Sequence, residues 1–142
     1  MLSICKENHF MKTELKLIVR PTEIDVNGHV NNAKYLEYLE WGREEWYEAG
    51  GLHYNKLLQE GFQTVTVNIN INYRKECVQN EQLTVITEPE KAGNSSYVLK
   101  QTIINETNAV CIDAAVTCVT MDSSTRKSKL LPAMLRKLFS DS

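Results

Sequence analysis

The sequence predicts an α+β domain in which an antiparallel sheet of about five strands wraps one long central helix. One helical stretch runs from Asn32 to about Ala49, strand-like alternation occurs once before it and four times after it, and short turns join the later strands. Lys12 to Val19 alternates and reads as the first strand, ending at Arg20-Pro21, where proline removes a backbone donor. Tyr35, Leu39, Gly42, Trp46 and Ala49 then recur at spacings of four, three, four and three, the stripe of a helix buried on one face. Gly42 inside that stripe costs roughly 1 kcal/mol against alanine, and close approach of the helix to a sheet would offset it.

Gly50-Gly51 ends the helix, and a short helical piece around Tyr54 to Glu60 leads to Gly61. Val65, Val67, Ile69, Ile71 and Tyr73 alternate with Thr64, Thr66, Asn68, Asn70 and Asn72, the pattern of a long half-buried strand. Runs at Gln82 to Glu88, Ser95 to Asn105 and Ala109 to Met121 are separated by turn residues at Gly93-Asn94 and Thr107-Asn108, which implies antiparallel hairpins. Pro132 opens a short C-terminal helix expected at residues 131–140. A single helix leaves sheet edges and faces uncovered, so a homodimer or homotetramer is expected.

The 142 residues fit one domain spanning residues 1–142, large enough for a real core, with residues 1–11 as a loose N-terminal tail. A formal charge of −2 argues against nucleic-acid and membrane-surface binding, which need a basic excess. Cys5, Cys77, Cys111 and Cys118 lack CxxC or metal-ligand spacing and follow no signal-like apolar run, so reduced thiols and a cytoplasmic location are expected. The three histidines show no HxxxH spacing, and no metal or other cofactor is implied.

Glu23 to Asn32 places Asp25, Asn27 and His29 at two-residue intervals just before the long helix. In an extended chain these side chains would point the same way, toward the helix N-terminus near Asn31, where unpaired N–H groups and the dipole stabilise an oxyanion. The competing reading is structural, because Asp and Asn-Gly form turns and Asn31 is a good N-cap.

The stretch Asp25-x-Asn27-x-His29-Val30-Asn31-Asn32-x-x-Tyr35 resembles the motif of plant and bacterial acyl-ACP thioesterases and their hydroxybenzoyl-CoA thioesterase relatives. Tyr73-Arg74-Lys75-Glu76-Cys77 is similar to the Tyr-Arg-Arg-Glu-Cys segment that ends a long strand in the plant enzymes. The resemblance implies a hotdog fold and hydrolysis of an acyl thioester carried by coenzyme A or acyl carrier protein, with Asp25, Asn27, His29 and Glu76 as the catalytic set. The acid side would supply a nucleophile or general base, and backbone N–H groups of Asn31 or Asn32 the oxyanion hole. The plant enzymes carry two hotdog units in one chain, so dimerisation would supply the second here.

Cys77 reads as a small core residue or, alternatively, a nucleophile. Arg74, Lys75, Arg126, Lys127 and Lys129 are candidates to hold the phosphates of coenzyme A or the acidic surface of acyl carrier protein, against the alternative of solvated charge. Two other functions compete: hydratase or dehydratase chemistry on the same fold, and a non-catalytic acyl-CoA-binding module. The module would need an output domain, for which little chain is expected to be spare.

Overall fold

The computed structural model describes residues 11–139. Its elements are β1 (Thr13–Ile18), a 3-10 turn (Pro21–Glu23), α1 (Asn32–Ala49), α2 (Tyr54–Gln59), β2 (Phe62–Tyr73), β3 (Gln82–Ala92), β4 (Ser96–Ile104), β5 (Val110–Asp122), α3 (Ala133–Arg136) and a 3-10 turn (Lys137–Phe139). All five strands join one antiparallel sheet in the order β1-β3-β4-β5-β2. β3, β4 and β5 form the expected hairpins, while β2 crosses over to pair with β5 and become an edge. No helix among the described residues is long and apolar enough to cross a membrane.

The sheet closes tightly on α1, as Gly42 requires. A Cβ at that position would lie 2.6 Å from Val85 Cγ1, 3.0 Å from Thr87 Oγ1 and 3.1 Å from a Gln101 amide nitrogen. Two core clusters follow the helix: Tyr35, Tyr38 and Leu39 pack with Val85, Ile103 and Ile112, and further along Trp46 packs with Tyr97, Leu99, Val116 and Leu135. Cys77, Cys111 and Cys118 are free thiols buried in these clusters, whereas Cys5 lies outside the described residues.

Several boundaries differ from the sequence expectation for identifiable reasons. The buried stripe of α1 also includes Tyr38 and Arg43 and ends at Trp46, leaving Ala49 exposed. In β2, Thr66 faces Cys118 and Asn68 faces Thr117, so Val67 is the extra residue of a bulge and is 55% exposed instead of half-buried. β3 continues past Glu88 through Pro89 because β1 pairing ends at Thr87, leaving no partner on that side among the described residues to need the missing donor. The C-terminal helix is a single turn, Ala133–Arg136, followed by 3-10 geometry, with residue 140 outside the described range. Of the expected N-terminal tail, residues 1–10 lie outside the described residues, and Met11 is anchored, its carbonyl accepting the Trp46 indole N–H at 3.0 Å.

Candidate active site

The loop between β1 and α1 is built from the Glu23 side. Pro21 at the first helical position and Glu23 at the third form a one-turn start, in which Glu23 Oε1 accepts the Arg20 N–H at 2.9 Å. The same oxygen accepts the Tyr38 hydroxyl at 2.7 Å, which ties the loop to α1 in the core. Burial first, and then the hydrogen bond to Glu23, push the Tyr38 phenol well above its ordinary value, so it stays a donor.

Asp25, Asn27 and His29 do not lie on an extended chain. Asp25 N–H donates to the His29 carbonyl at 2.8 Å, Gly28 N–H donates to the Asp25 carbonyl at 3.0 Å, and Gly28 takes φ +84°. Asp25 Oδ1 accepts the N–H groups of Asn27 (2.9 Å) and His29 (3.3 Å), the local bonding that makes aspartate a turn former. The alternation of an extended strand is therefore replaced by a tight loop, which still turns all three residues onto one cleft of about 570 Å³ that Glu76 also lines.

His29 Nε2 lies 3.1 Å from Glu76 Oε2, with the imidazole 39% and the carboxylate 64% exposed. Two bonds hold the segment after β2 against the loop and α1: Val30 N–H donates to the Cys77 carbonyl at 2.9 Å, and Cys77 N–H donates to the Tyr35 hydroxyl at 3.1 Å. Burial chiefly, with the neighbouring Cys77 thiol adding to it, raises the Tyr35 phenol, so its oxygen stays neutral. Cys77 itself is fully buried, so its backbone serves the cleft while its side chain serves the core.

At the helix start, Asn31 Oδ1 caps the Ala33 N–H at 2.8 Å, and the Asn31 N–H is donated to the Glu23 carbonyl at 2.9 Å. Asn31 is thereby removed as an oxyanion donor, because its N–H is already committed. Asn32, the first residue of α1, lines the cleft and remains the candidate.

The cationic candidates divide. Lys75 and Arg74 line the cleft, but Arg74 Nε donates to Asp113 Oδ2 at 2.6 Å, and together with the Asn72 amide it holds the Asp113 carboxyl below the usual carboxylate range. Arg126, Lys127 and Lys129 sit at the other end of the sheet. β2 runs from Phe62, opposite Asp122, to Tyr73, opposite Ile112, a span of about 36 Å at strand rise. Arg126 donates to Gln63 Oε1 at 3.2 Å, and Lys129 lies 3.5 Å from Asp122 and 4.2 Å over the Phe62 ring. Within one subunit this tract stands far from the cleft.

Comparison with known proteins fits this geometry. Residues 19–139 match the model of the thioesterase-like superfamily. The chain is 37% identical over 128 residues to the long-chain acyl-CoA thioesterase FadM of Escherichia coli, covering 89% of this chain and 95% of that one. The chain belongs to the thioesterase-like superfamily. Its reaction class is thioester hydrolysis. A putative acyl-CoA thioesterase of Bacillus subtilis, YneP, is 30% identical over 133 residues, covering 94% of this chain and 92% of the relative. The crystal structure of the probable thioesterase YbaW from E. coli superposes with a TM-score of 0.78 at 36% identity, over 91% of this chain and 96% of that one. A Staphylococcus aureus protein solved in complex with CoA shares the fold at a TM-score of 0.84 and 16% identity, over 92% and 85% of the two chains. These likenesses identify the five-stranded wrapped sheet as the hotdog fold.

Residue-by-residue reasoning missed Glu23 and Tyr38, the buried pair that sets the loop against α1. Arg20-Pro21-Thr22-Glu23 carries a helix-start signature that marks Glu23, whereas nothing local marks Tyr38 as its partner.

Proposed function

We propose that the enzyme hydrolyses acyl-CoA thioesters in the cytoplasm, water adding to the acyl carbon and coenzyme A leaving as its free thiol. The observation that carries this reading is the His29–Glu76 pair at 3.1 Å beside the start of α1. Glu76 is the base that orients and deprotonates the water, and His29 hydrogen-bonds Glu76 and returns a proton to the departing sulfur. The Asn27 amide and the Asn32 N–H hold the thioester oxygen as it gains charge, the latter strengthened by the helix dipole. Asp25, with Oδ1 accepting two backbone N–H groups, fixes the loop that presents Asn27 and His29.

The working unit is a two-fold dimer joined through β2. This strand, 12 residues long, is a sheet edge with no partner on its outer side among the described residues, and antiparallel pairing of two copies places the Phe62 end of one beside the Tyr73 end of the other. The Arg126 to Lys129 tract of each subunit then stands beside the other's cleft, where Lys75 alone is a cation not held in an ion pair among the described residues. That arrangement gives the coenzyme A phosphates a binding surface. The test is a thiol-release screen of acyl-CoA and acyl-ACP substrates of varied chain length. Turnover of medium or long acyl-CoA is expected; exclusive turnover of acyl-ACP would move the carrier assignment, and none with either would refute the proposal.

A further inference from the structure

β2 changes its pattern at the bulge. Before Val67, Phe62 packs in the core and Thr64 and Thr66 face the α1 side. After it, Ile69 and Ile71 pack in the core and Tyr73 meets the Tyr35 ring at 5.7 Å. The residues facing α1 are thus even-numbered before Val67 and odd-numbered after it, because the bulge adds one residue. Gln63 and Val65 share the outer face with Asn68, Asn70 and Asn72.

That switch restricts how two copies can pair along this edge. Opposed residues of an antiparallel pair lie on the same face, so a two-fold pairing of an unbulged strand must set even against even and odd against odd. Here the half before Val67 meets the half after it in the second copy, and even must meet odd. Of the registers that satisfy this, one alone uses all 12 residues of the strand. It sets Phe62 opposite Tyr73, Val65 opposite Asn70 and, across the two-fold axis, Val67 opposite Asn68. A slip of two residues either way leaves the Phe62 end or the Tyr73 end of both copies unpaired.

We propose that two copies join in this register, and that Phe62 of the second copy stands beside Tyr73 as a wall of the cleft. This rests on the β2 dimer described above and adds to it the register and the residue contributed in trans. Tyr73 lines the cleft and is 48% exposed within one subunit, which leaves its ring open to an aromatic cross-strand neighbour. Phe62 brings Lys129 with it, the Nζ lying 4.2 Å over the ring, so one cation of the basic tract reaches the cleft that Lys75 lines. On the outer face Gln63, which accepts from Arg126 at 3.2 Å, comes opposite Asn72, whose amide donates to Asp113 at 2.9 Å. A cation thereby approaches an anion along the seam.

The test is disulfide capture in the full chain with oxidised glutathione, which is reduced as two engineered thiols join. Opposed Cα atoms lie about 5 Å apart and diagonal neighbours roughly 7–8 Å, beyond disulfide reach. Val65→Cys/Asn70→Cys should therefore give a covalent dimer at least about tenfold faster than Val65→Cys/Asn68→Cys or Val65→Cys/Asn72→Cys, the slipped pairs, with the unaltered chain as background. Should that variant fail to fold, Gln63→Cys/Asn72→Cys reads the same register, with Gln63→Cys/Asn70→Cys as its slipped control. Phe62→Ala should raise KM for acyl-CoA by about threefold or more with kcat little changed. Hybrids with Glu76→Gln subunits should return to the KM of the unaltered enzyme, since their one active cleft takes Phe62 from the Glu76→Gln subunit. Capture at a slipped pair as fast as at Val65–Asn70, an unchanged KM in Phe62→Ala, or a KM still raised in the hybrids would overturn the proposal. A chain that sediments as a monomer would refute the β2 dimer itself, whereas a dimer captured at a slipped pair would keep the dimer and refute the register. Capture at Val65–Asn70 in a chain that releases no thiol would refute the reaction and keep the register.

Discussion

Glu76 meets His29 because the backbone around Cys77 is pinned twice, by Val30 N–H and by the Tyr35 hydroxyl. Around this pair the loop geometry separates chemistry from scaffolding. Asn at position 25 keeps an oxygen able to accept from Asn27 and His29, whereas Ala does not. Asp25→Asn should therefore retain kcat within roughly tenfold, and Asp25→Ala should lose about 10²-fold or more. An Asp25→Asn enzyme as inactive as Asp25→Ala, with intact circular dichroism, would make the carboxylate charge itself chemical. Asp25, Asn27, His29 and Glu76 were legible as residue types in two short motifs. The commitment of the Asn31 N–H to Glu23 was not, because that acceptor is eight residues away and is set by the turn at Pro21. Arg43 was hidden for a related reason: an arginine beside glutamates reads as solvated charge, and only the strand-borne Gln101 reveals its burial.

Elements were read best where periodicity is local. The α1 stripe predicted both its span and the contact at Gly42, and that contact makes a sharp prediction. Alanine there improves helix propensity by roughly 1 kcal/mol, but its Cβ would fall 2.6 Å from Val85 Cγ1 and close to Thr87 and Gln101. Overpacking of about 1–3 kcal/mol should win, so Gly42→Ala should unfold at lower temperature than the unaltered protein in thermal melts. A raised melting temperature would mean that the sheet yields easily around α1. The bulge at Val67 and the crossover of β2 to the far edge were not legible, since both depend on which strand pairs with which, and the β2 pattern alternates apolar and polar residues whichever partner it takes. The extension of β3 through Pro89 was hidden because proline usually ends a strand with neighbours on both sides, and here β1 has already stopped.

At the scale of the whole molecule, the fold class followed from element order, while the separation of the basic tract from the cleft emerged only with the length of β2. The proposed two-fold assembly through β2 would resolve that separation and can be tested by mixing. A Glu76→Gln subunit and an Arg126→Gln/Lys127→Gln subunit should each be poorly active alone at low substrate. Re-associated hybrids would contain one site with both Glu76 and the partner's intact tract, so the mixture should regain activity that neither parent shows. No recovery despite mixed dimers seen by sedimentation would confine the tract to its own subunit. Hydrolysis at the His29–Glu76 pair is open to one decisive measurement, thiol release from a long-chain acyl-CoA with Glu76→Gln. A kcat lower by about 10²-fold or more with KM little changed is expected, the range for loss of a general base; a folded Glu76→Gln enzyme turning over within threefold of the unaltered one would place the chemistry elsewhere.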